Sequence, residues 1–446
     1  MKCLFYKKRI QVNRSVVTIK QYASSPDSLR EAITLCNGLE VLKRDDHIFI
    51  KPNLVGWDNR YPMPLYGVFT TTKLVEDMIV ILKDYGVERI TIGEGSVYLK
   101  GKNQPFSTQK IFQMLGYPLL TKHYGIKLMD IHKESFNAVN FGNFSLQISR
   151  PAMEADFFIN MPVLKTHNQS ILSLGLKNLK GCISTKSRKF SHSPDSKLDY
   201  YLSLFAEKIK PSLTILDGIY GLERGPYHGS IAVRMDVIVS SRDPLAVDII
   251  GTHLAGIDPV DIPHIKEYAE RNGRSLSLED LDIKGAPIHE VAHPLRWDNI
   301  WREDNSGPKA WDRLGIKGIY FPKYDKTLCT GCSYLYSPML LMIMSAYQGN
   351  PFDNIEILTG KSMKSSGKAE KTILVGNCMI KANKKDPTIK DVVLAKGCPP
   401  TFEETTKAFE QCGILVDMEG YQKLQHTLIN RYQGKEEFDE CFFYLR

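Results

Sequence analysis

The strongest constraint on the fold is one alternation near the start of the chain. Residues 46–53 form a short apolar run that stops at Pro52, which reads as a buried strand. Leu74, Val75, Met78, Ile79 and Leu82 then recur at helical spacing behind Thr71 and Thr72, either of which can cap the helix, and Gly86 ends it. Residues 89–93 form the next strand. Strand, helix and strand in this order make a βαβ unit, which requires a parallel pair and a right-handed crossover. Further strands are predicted at 156–161, 213–217 and 235–240, with a helix at 244–255 behind Asp243. Their nearly continuous apolar runs need cover on both faces, so the first half is predicted to be an α/β layer structure with a mostly parallel sheet.

After about residue 286 the pattern breaks. Residues 287–328 are rich in Pro, Asn, Asp and Trp and read as an irregular connector, packed by Trp297, Trp301 and Trp311. Residues 329–446 read as a smaller α/β unit. It has a buried helix at 339–347, strands at 355–358, 372–375 and 392–395, and an amphipathic helix at 402–412. The division is therefore 1–286, 287–328 and 329–446. The 446 residues are 43% hydrophobic and 24% charged, ordinary for a globular chain. A net charge of +8 is a mild excess that suits anionic small molecules or an acidic partner and does not by itself imply nucleic acid.

Nine cysteines, most of them isolated, do not form a secreted disulfide framework. With no long apolar stretch behind the N-terminal charges and no run long enough to span a bilayer, the expectation is a cytoplasmic chain with no membrane contact. Four cysteines stand apart from the others. Cys329, Cys332, Cys378 and Cys398 give the spacing C-x2-C-x45-C-x19-C. Cys378 and Cys398 follow predicted strands, and Cys332 precedes a helix expected to begin near Pro338. In an open α/β sheet these places share one edge, so the four thiols can converge. Four thiolates suit a [4Fe–4S] cluster, or zinc as the alternative. Structural zinc commonly uses two compact pairs, whereas a Cys followed by Pro, as in Gly397-Cys-Pro-Pro400, is a recurring iron–sulfur feature. That segment resembles the cluster loop of hydrogenase small subunits over those four residues. Cys3, Cys36, Cys182, Cys412 and Cys441 read as packing residues.

A second constellation lies at strand ends in the first half. Lys51 and Asn53, then Lys165 and His167, then Lys177, Asn178 and Lys180 are expected to face one crevice. The lysines would supply charge for a carboxylate or phosphate, and His167 would move protons. Asp217 and Asp243 are candidate acid/base groups or divalent-ion ligands opposite them, with Asp248 one turn on. For Asp243, helix capping is the competing reading. Lys186, Arg188, Lys189 and His192 sit in a Ser-rich loop that reads as solvated surface. Three other patterns fail on inspection. His289-Glu-Val-Ala-His293 is bracketed by prolines, too short a helix for a zinc protease. Gly93-Glu-Gly-Ser96 lacks the third glycine of a dinucleotide loop, and Gly95 to Lys102 has the wrong spacing for a P-loop.

The segments Lys51-Pro-Asn-Leu-Val55, Gly93-Glu-Gly-Ser96, Asn160-Met-Pro-Val-Leu-Lys-Thr-His167, Gly175-Leu-Lys-Asn-Leu-Lys-Gly181, Asp217-Gly-Ile, Gly225-Pro226 and Ser241-Arg-Asp-Pro-Leu-Ala-Val-Asp248 together resemble the domain-of-unknown-function family 362, over about residues 45–286. The resemblance implies an association with iron–sulfur proteins, often through a ferredoxin module with two compact cysteine runs. This chain has no C-x2-C-x2-C-x3-C run, and the dispersed four-cysteine unit stands in its place. The leading expectation is an iron–sulfur oxidoreductase or electron-transfer protein acting on an anionic small molecule, with a redox partner protein and no nucleic acid. The alternatives are a non-redox isomerase or lyase with a structural metal, and a cluster or metal delivery protein.

Overall fold

A computed structural model describes residues 14–56, 65–97, 107–195, 197–226, 229–298 and 301–444. Cys3 and residues 98–103 of the glycine-rich stretch lie outside them. The fold is mixed α/β with a large, mostly parallel sheet. In chain order the strands are β1 (Ser15–Gln21), β2 (Ile48–Pro52), β3 (Ile90–Glu94), β4 (Lys127–Asp130), β5 (Phe136–Asn140), β6 (Ser145–Ser149), β7 (Phe157–Met161), β8 (Val163–His167), β9 (Ile171–Ser173), β10 (Leu213–Glu223), β11 (Ile231–Ser241), β12 (Leu281–Gly285), β13 (Ile319–Tyr320), β14 (Ile355–Leu358), β15 (Lys371–Val375) and β16 (Asp391–Ala395).

The large sheet runs β12-β1-β11-β10-β7-β2-β3-β4, with β8 beside β10 and β9 beside β8. From β10 through β7, β2 and β3 to β4 every pairing is parallel. The expected βαβ unit is β2, the helix Thr72–Tyr85 and β3. At the other side β11 runs antiparallel to both β1 and β10. Apolar clusters cover both faces, one under the helix Thr72–Tyr85 and one under the helix Pro244–Leu254, which is why the strands carry few polar positions.

The second unit is a four-stranded parallel sheet, β13-β14-β15-β16. Its first strand and the buried Trp311 lie inside the stretch read as connector, so the second core already begins there. Trp301 packs against that core, and its indole donates to the Phe321 carbonyl at 3.1 Å, while Trp297 stays exposed. The chain's last described residues return to the first unit. Tyr432, Phe438, Phe442 and Phe443 pack with Tyr66 and Tyr220, and the Tyr432 hydroxyl accepts the Ala232 N–H at 2.6 Å. The helix Ile288–Val291 is only one turn long and leaves His293 outside it, so the H-E-x-x-H pattern has no helical face. Among the described residues no helix is long and apolar enough to cross a membrane.

Candidate functional site

The sheet's strand ends assemble the predicted cation cluster. β2 ends at Lys51-Pro52, β8 carries Lys165 and His167, and the short helix Gly175–Asn178 with the turn Leu179–Cys182 carries Lys177, Asn178 and Lys180. All seven predicted residues, Asn53 included, line one cavity of about 150 Å³. This is the edge where an α/β sheet gathers ligands, because strands end and helices begin there.

Five cations line the cavity, Lys51, Lys165, Lys177, Lys180 and Arg188, against one carboxylate, Glu94. Lys51 and Glu94 form a buried ion pair at 2.8 Å. The remaining cations meet neutral acceptors. Lys165 Nζ donates to Asn53 Oδ1 and to the Val68 carbonyl, both at 2.6 Å. Lys180 Nζ donates to His192 Nε2 at 2.5 Å, and His192 Nδ1 donates to the Lys326 carbonyl at 2.8 Å, so the imidazole is neutral. Arg188 spends its guanidinium on the carbonyls of Ile183 (3.0 Å) and Gly181 (2.6 Å). Enclosure without counter-charge disfavours the protonated forms. Burial pushes Lys165 and Lys180 down to about 7 and holds Lys177 well below its ordinary value. Burial and the neighbouring lysines hold His167 well below its own.

Three acidic or basic side chains of the cavity escaped the sequence reading. Glu94 sat in a stretch read as a turn, and Arg188 and His192 sat in a stretch read as a solvated loop, which instead forms the helix Thr185–Ser191 with His192 at its C-terminal end. His192 is buried, and Arg188 turns inward beneath Gly95. The available signal was glycine at the points of close approach. A Cβ on Gly95 would lie 2.6 Å from an Arg188 nitrogen, and one on Gly181 would lie 2.3 Å from Lys51 Cε. Lys186 and Lys189 are exposed, as expected. The helix Thr330–Ala346 of the second unit completes the wall with Thr330, Ser333, Tyr334, Tyr336 and Ser337.

The predicted acids are not among the residues lining this cavity. Asp217 accepts the Thr71 N–H (2.7 Å) and hydroxyl (3.0 Å) at the start of the helix Thr72–Tyr85, and burial pushes it up to about 6. Asp243 caps the helix Pro244–Leu254 through the Leu245 N–H at 3.0 Å and bonds Arg274, the competing reading given to it above. Asp248 is fully buried and accepts the N–H groups of Gly175 (2.6 Å) and Leu176 (3.0 Å). It therefore holds the turn that carries Lys177, Asn178 and Lys180. Asp248→Ala is expected to cost about 2 kcal/mol by leaving those donors without an acceptor, and Asp248→Asn about half of that. Urea midpoints of the two variants check the order.

The four singled-out cysteines line a second, smaller cavity together with Lys361 and Asn377. Cys329 caps the helix Thr330–Ala346 and Cys332 lies in its first turn, so this helix begins eight residues before Pro338, where it was expected. Cys378 stands in the first turn of the helix Asn377–Asn383, and Cys398 in the loop after β16. The hydrogen bond between the Cys329 and Cys332 thiols holds Cys329 below its ordinary value and pushes Cys332 above its own. Lys189 Nζ donates to Cys398 Sγ at 3.2 Å. Among the described residues, no three His, Cys, Asp or Glu side chains are grouped closely enough to hold a single metal ion. A narrow space lined by Arg188, Thr330, Cys329 and Cys398 lies between the two cavities and shares walls with both.

Comparison with known proteins bears on the first unit. Residues 48–253 match the family described as "Domain of unknown function (DUF362)". A thylakoid-associated protein of Synechocystis sp. is 30% identical over 262 residues, 57% of this chain and 77% of that protein. Among solved structures, the lactate racemase apoprotein from Thermoanaerobacterium thermosaccharolyticum aligns at 14% identity and a TM-score of 0.36, covering 55% of this chain and 58% of that one. A Thermotoga maritima protein aligns at 12% identity and a TM-score of 0.30, covering 49% of this chain and 56% of that one. The chain thus spans less than two thirds of either solved structure, and neither likeness bears on the chemistry. The cation cavity's seven predicted residues fall inside the matched stretch and the four cysteines fall outside it. By its sequence the chain belongs to this domain-of-unknown-function family.

Proposed function

We propose that this chain is an iron–sulfur protein, an oxidoreductase or electron-transfer protein that acts on an anionic small molecule. The observation that carries the reading is the adjacency of two cavities, one lined by cations in excess and one with four cysteines among its lining residues, with Cys329 and Cys398 on the space between them. Cys329, Cys332, Cys378 and Cys398 would hold a [4Fe–4S] cluster. A single zinc ion draws four sulfurs to ~2.3 Å from one centre. A four-iron cluster binds each thiolate through a separate iron and suits a more open ring of sulfurs. The helix N-terminus at Cys329 favours a thiolate at that position.

Such a cluster, when bound, supplies or accepts one electron. The chain's own residues do the rest. Lys165, Lys177 and Lys180 bind and orient the anion, Tyr334 and Tyr336 exclude water, and Lys165 holds or moves a proton at Nζ. A redox partner protein would approach the exposed side of Cys378 and Cys398. A cytoplasmic, reducing setting belongs to the same reading, since it keeps these thiols free.

Anaerobically purified protein is expected to be brown and to contain ~4 iron and ~4 sulfide per chain. Colourless protein with one zinc per chain would overturn the cluster. One observation favours a second reading, a non-redox proton-transfer enzyme with a structural metal. A neutral Lys165 spends both N–H bonds on Asn53 and Val68, which leaves its lone pair as a base. In that case Lys165→Met abolishes turnover, and cluster reduction leaves turnover unchanged.

A further inference from the structure

The cavity's walls differ by origin. The first unit supplies every charged lining residue. The second unit supplies Tyr324, Thr330, Ser333, Tyr334, Tyr336 and Ser337, none of them charged. The Tyr334 hydroxyl donates to the Gly56 carbonyl and the Tyr336 hydroxyl to the Pro322 carbonyl, each at 2.8 Å. With their hydroxyls engaged elsewhere, what the two rings offer the cavity is apolar surface. Val97, Leu198 and Pro226 extend that surface.

On the charged side, Lys165, Lys177, Lys180 and Arg188 have no carboxylate within ion-pair distance among the described residues, since Glu94 is bonded to Lys51. Buried charge without a partner is costly, and the cost is removed either by loss of the proton or by arrival of an opposite charge. One negative charge would leave most of these groups uncompensated.

We infer that the cavity takes a small molecule with two negative charges at one end and a flat apolar body at the other. This rests on the anionic-ligand reading above and narrows it to a substrate class, a phosphate monoester or a dicarboxylate on an aromatic or similar frame. Lys165 and Lys180, held near neutrality while the cavity lacks an anion, regain protons when the dianion arrives.

Calorimetric titration of the full chain, purified anaerobically and kept near pH ~7, where a phosphate monoester is mostly doubly charged, tests this. The probes are phenyl phosphate, phthalate, benzoate and inorganic phosphate. The expected result is that phenyl phosphate or phthalate binds at least ~10-fold tighter than benzoate. Which of the two binds tighter separates the phosphate source from the carboxylate source. Phenyl phosphate should also bind tighter than inorganic phosphate. Lys177→Gln should lose most of the preference for dianions, with a melting temperature no lower than that of the parent, while Lys186→Gln, exposed on the helix Thr185–Ser191, should keep it. Benzoate binding as tightly as the dianions would overturn the inference and leave the anion site standing. Equal binding of phenyl and inorganic phosphate would overturn the apolar half. Absence of binding by all four probes would overturn both the inference and the anionic-ligand reading, and iron content on the same sample reports the cluster separately.

Discussion

Cys332→Ala is expected to abolish nearly all bound iron and acid-labile sulfide in anaerobically purified protein, and with them the broad visible absorption. Cys332 sits in the first turn of a 17-residue helix whose Leu335, Met339, Met342 and Ile343 are buried in the second core. That packing holds the backbone where it is, so no neighbouring side chain can move in as a substitute ligand. The loss should also lower stability, because a group bound only by the folded state adds its binding free energy to folding. Cys378→Ala should behave in the same way, since Cys378 lines the same cavity from another helix of the second unit, Asn377–Asn383. Cys412→Ala is the control. Cys412 is buried among apolar side chains of the second core, so that variant should keep its iron and lose only ~1 kcal/mol of stability. Parental iron content in Cys332→Ala would sink the four-cysteine assignment.

The second large effect is a stability that rises with pH above neutrality while no anion is bound. Lys165 is 1% exposed, and burial takes it from an ordinary 10.5 to about 7. Below pH 7 both the folded and unfolded chains carry its proton, and the folded state bears the full cost of the buried charge. Between about 7 and 10.5 the unfolded chain keeps a proton that the folded chain has released. The unfolded state then binds more protons, so unfolding becomes less favourable as pH rises. The difference of 3.5 pH units sets a ceiling of ~5 kcal/mol, and relaxation of the surroundings should bring the measured value to about half. Lys180 and Lys177 act in the same direction. Most proteins are most stable between pH ~5 and 8, which makes the sign diagnostic. Urea midpoints in anion-poor buffer should rise from pH ~7 to pH ~9.5. Lys165→Met should be more stable than the parent at neutral pH, with a flatter profile. A parental midpoint that stays level or falls over that window would sink the account of the cavity.

Much of the fold could be read locally. Apolar runs and helical stripes located β2, β3, β7, β14, β15 and β16 and the helix Thr72–Tyr85 to within a residue or two. The pairing partners of β10 and β11 could not be read this way, because an eleven-residue buried strand looks the same whether its neighbour runs parallel or antiparallel. The start of the helix Thr330–Ala346 was hidden by Pro338. Proline inside a helix costs ~3 kcal/mol, and the burial of the apolar residues on both sides outweighs it.

The candidate site divides in the same way. Lysines and asparagines recurring at strand ends marked the cavity's floor, since the ends of parallel strands share an edge whatever else the fold contains. Arg188 and His192 were invisible because Ser, Lys and Arg in a short loop look solvated. Their burial is decided by residues far along the chain, the Lys326 carbonyl and the helix beginning at Thr330. The tyrosine wall arises the same way, from a second unit folded over the first. Sequence alone determined where backbone periodicity puts strands, helices and their ends. Tertiary structure alone decided which polar groups lose water, because desolvation depends on distant segments meeting in space, and that meeting leaves no local pattern in the chain.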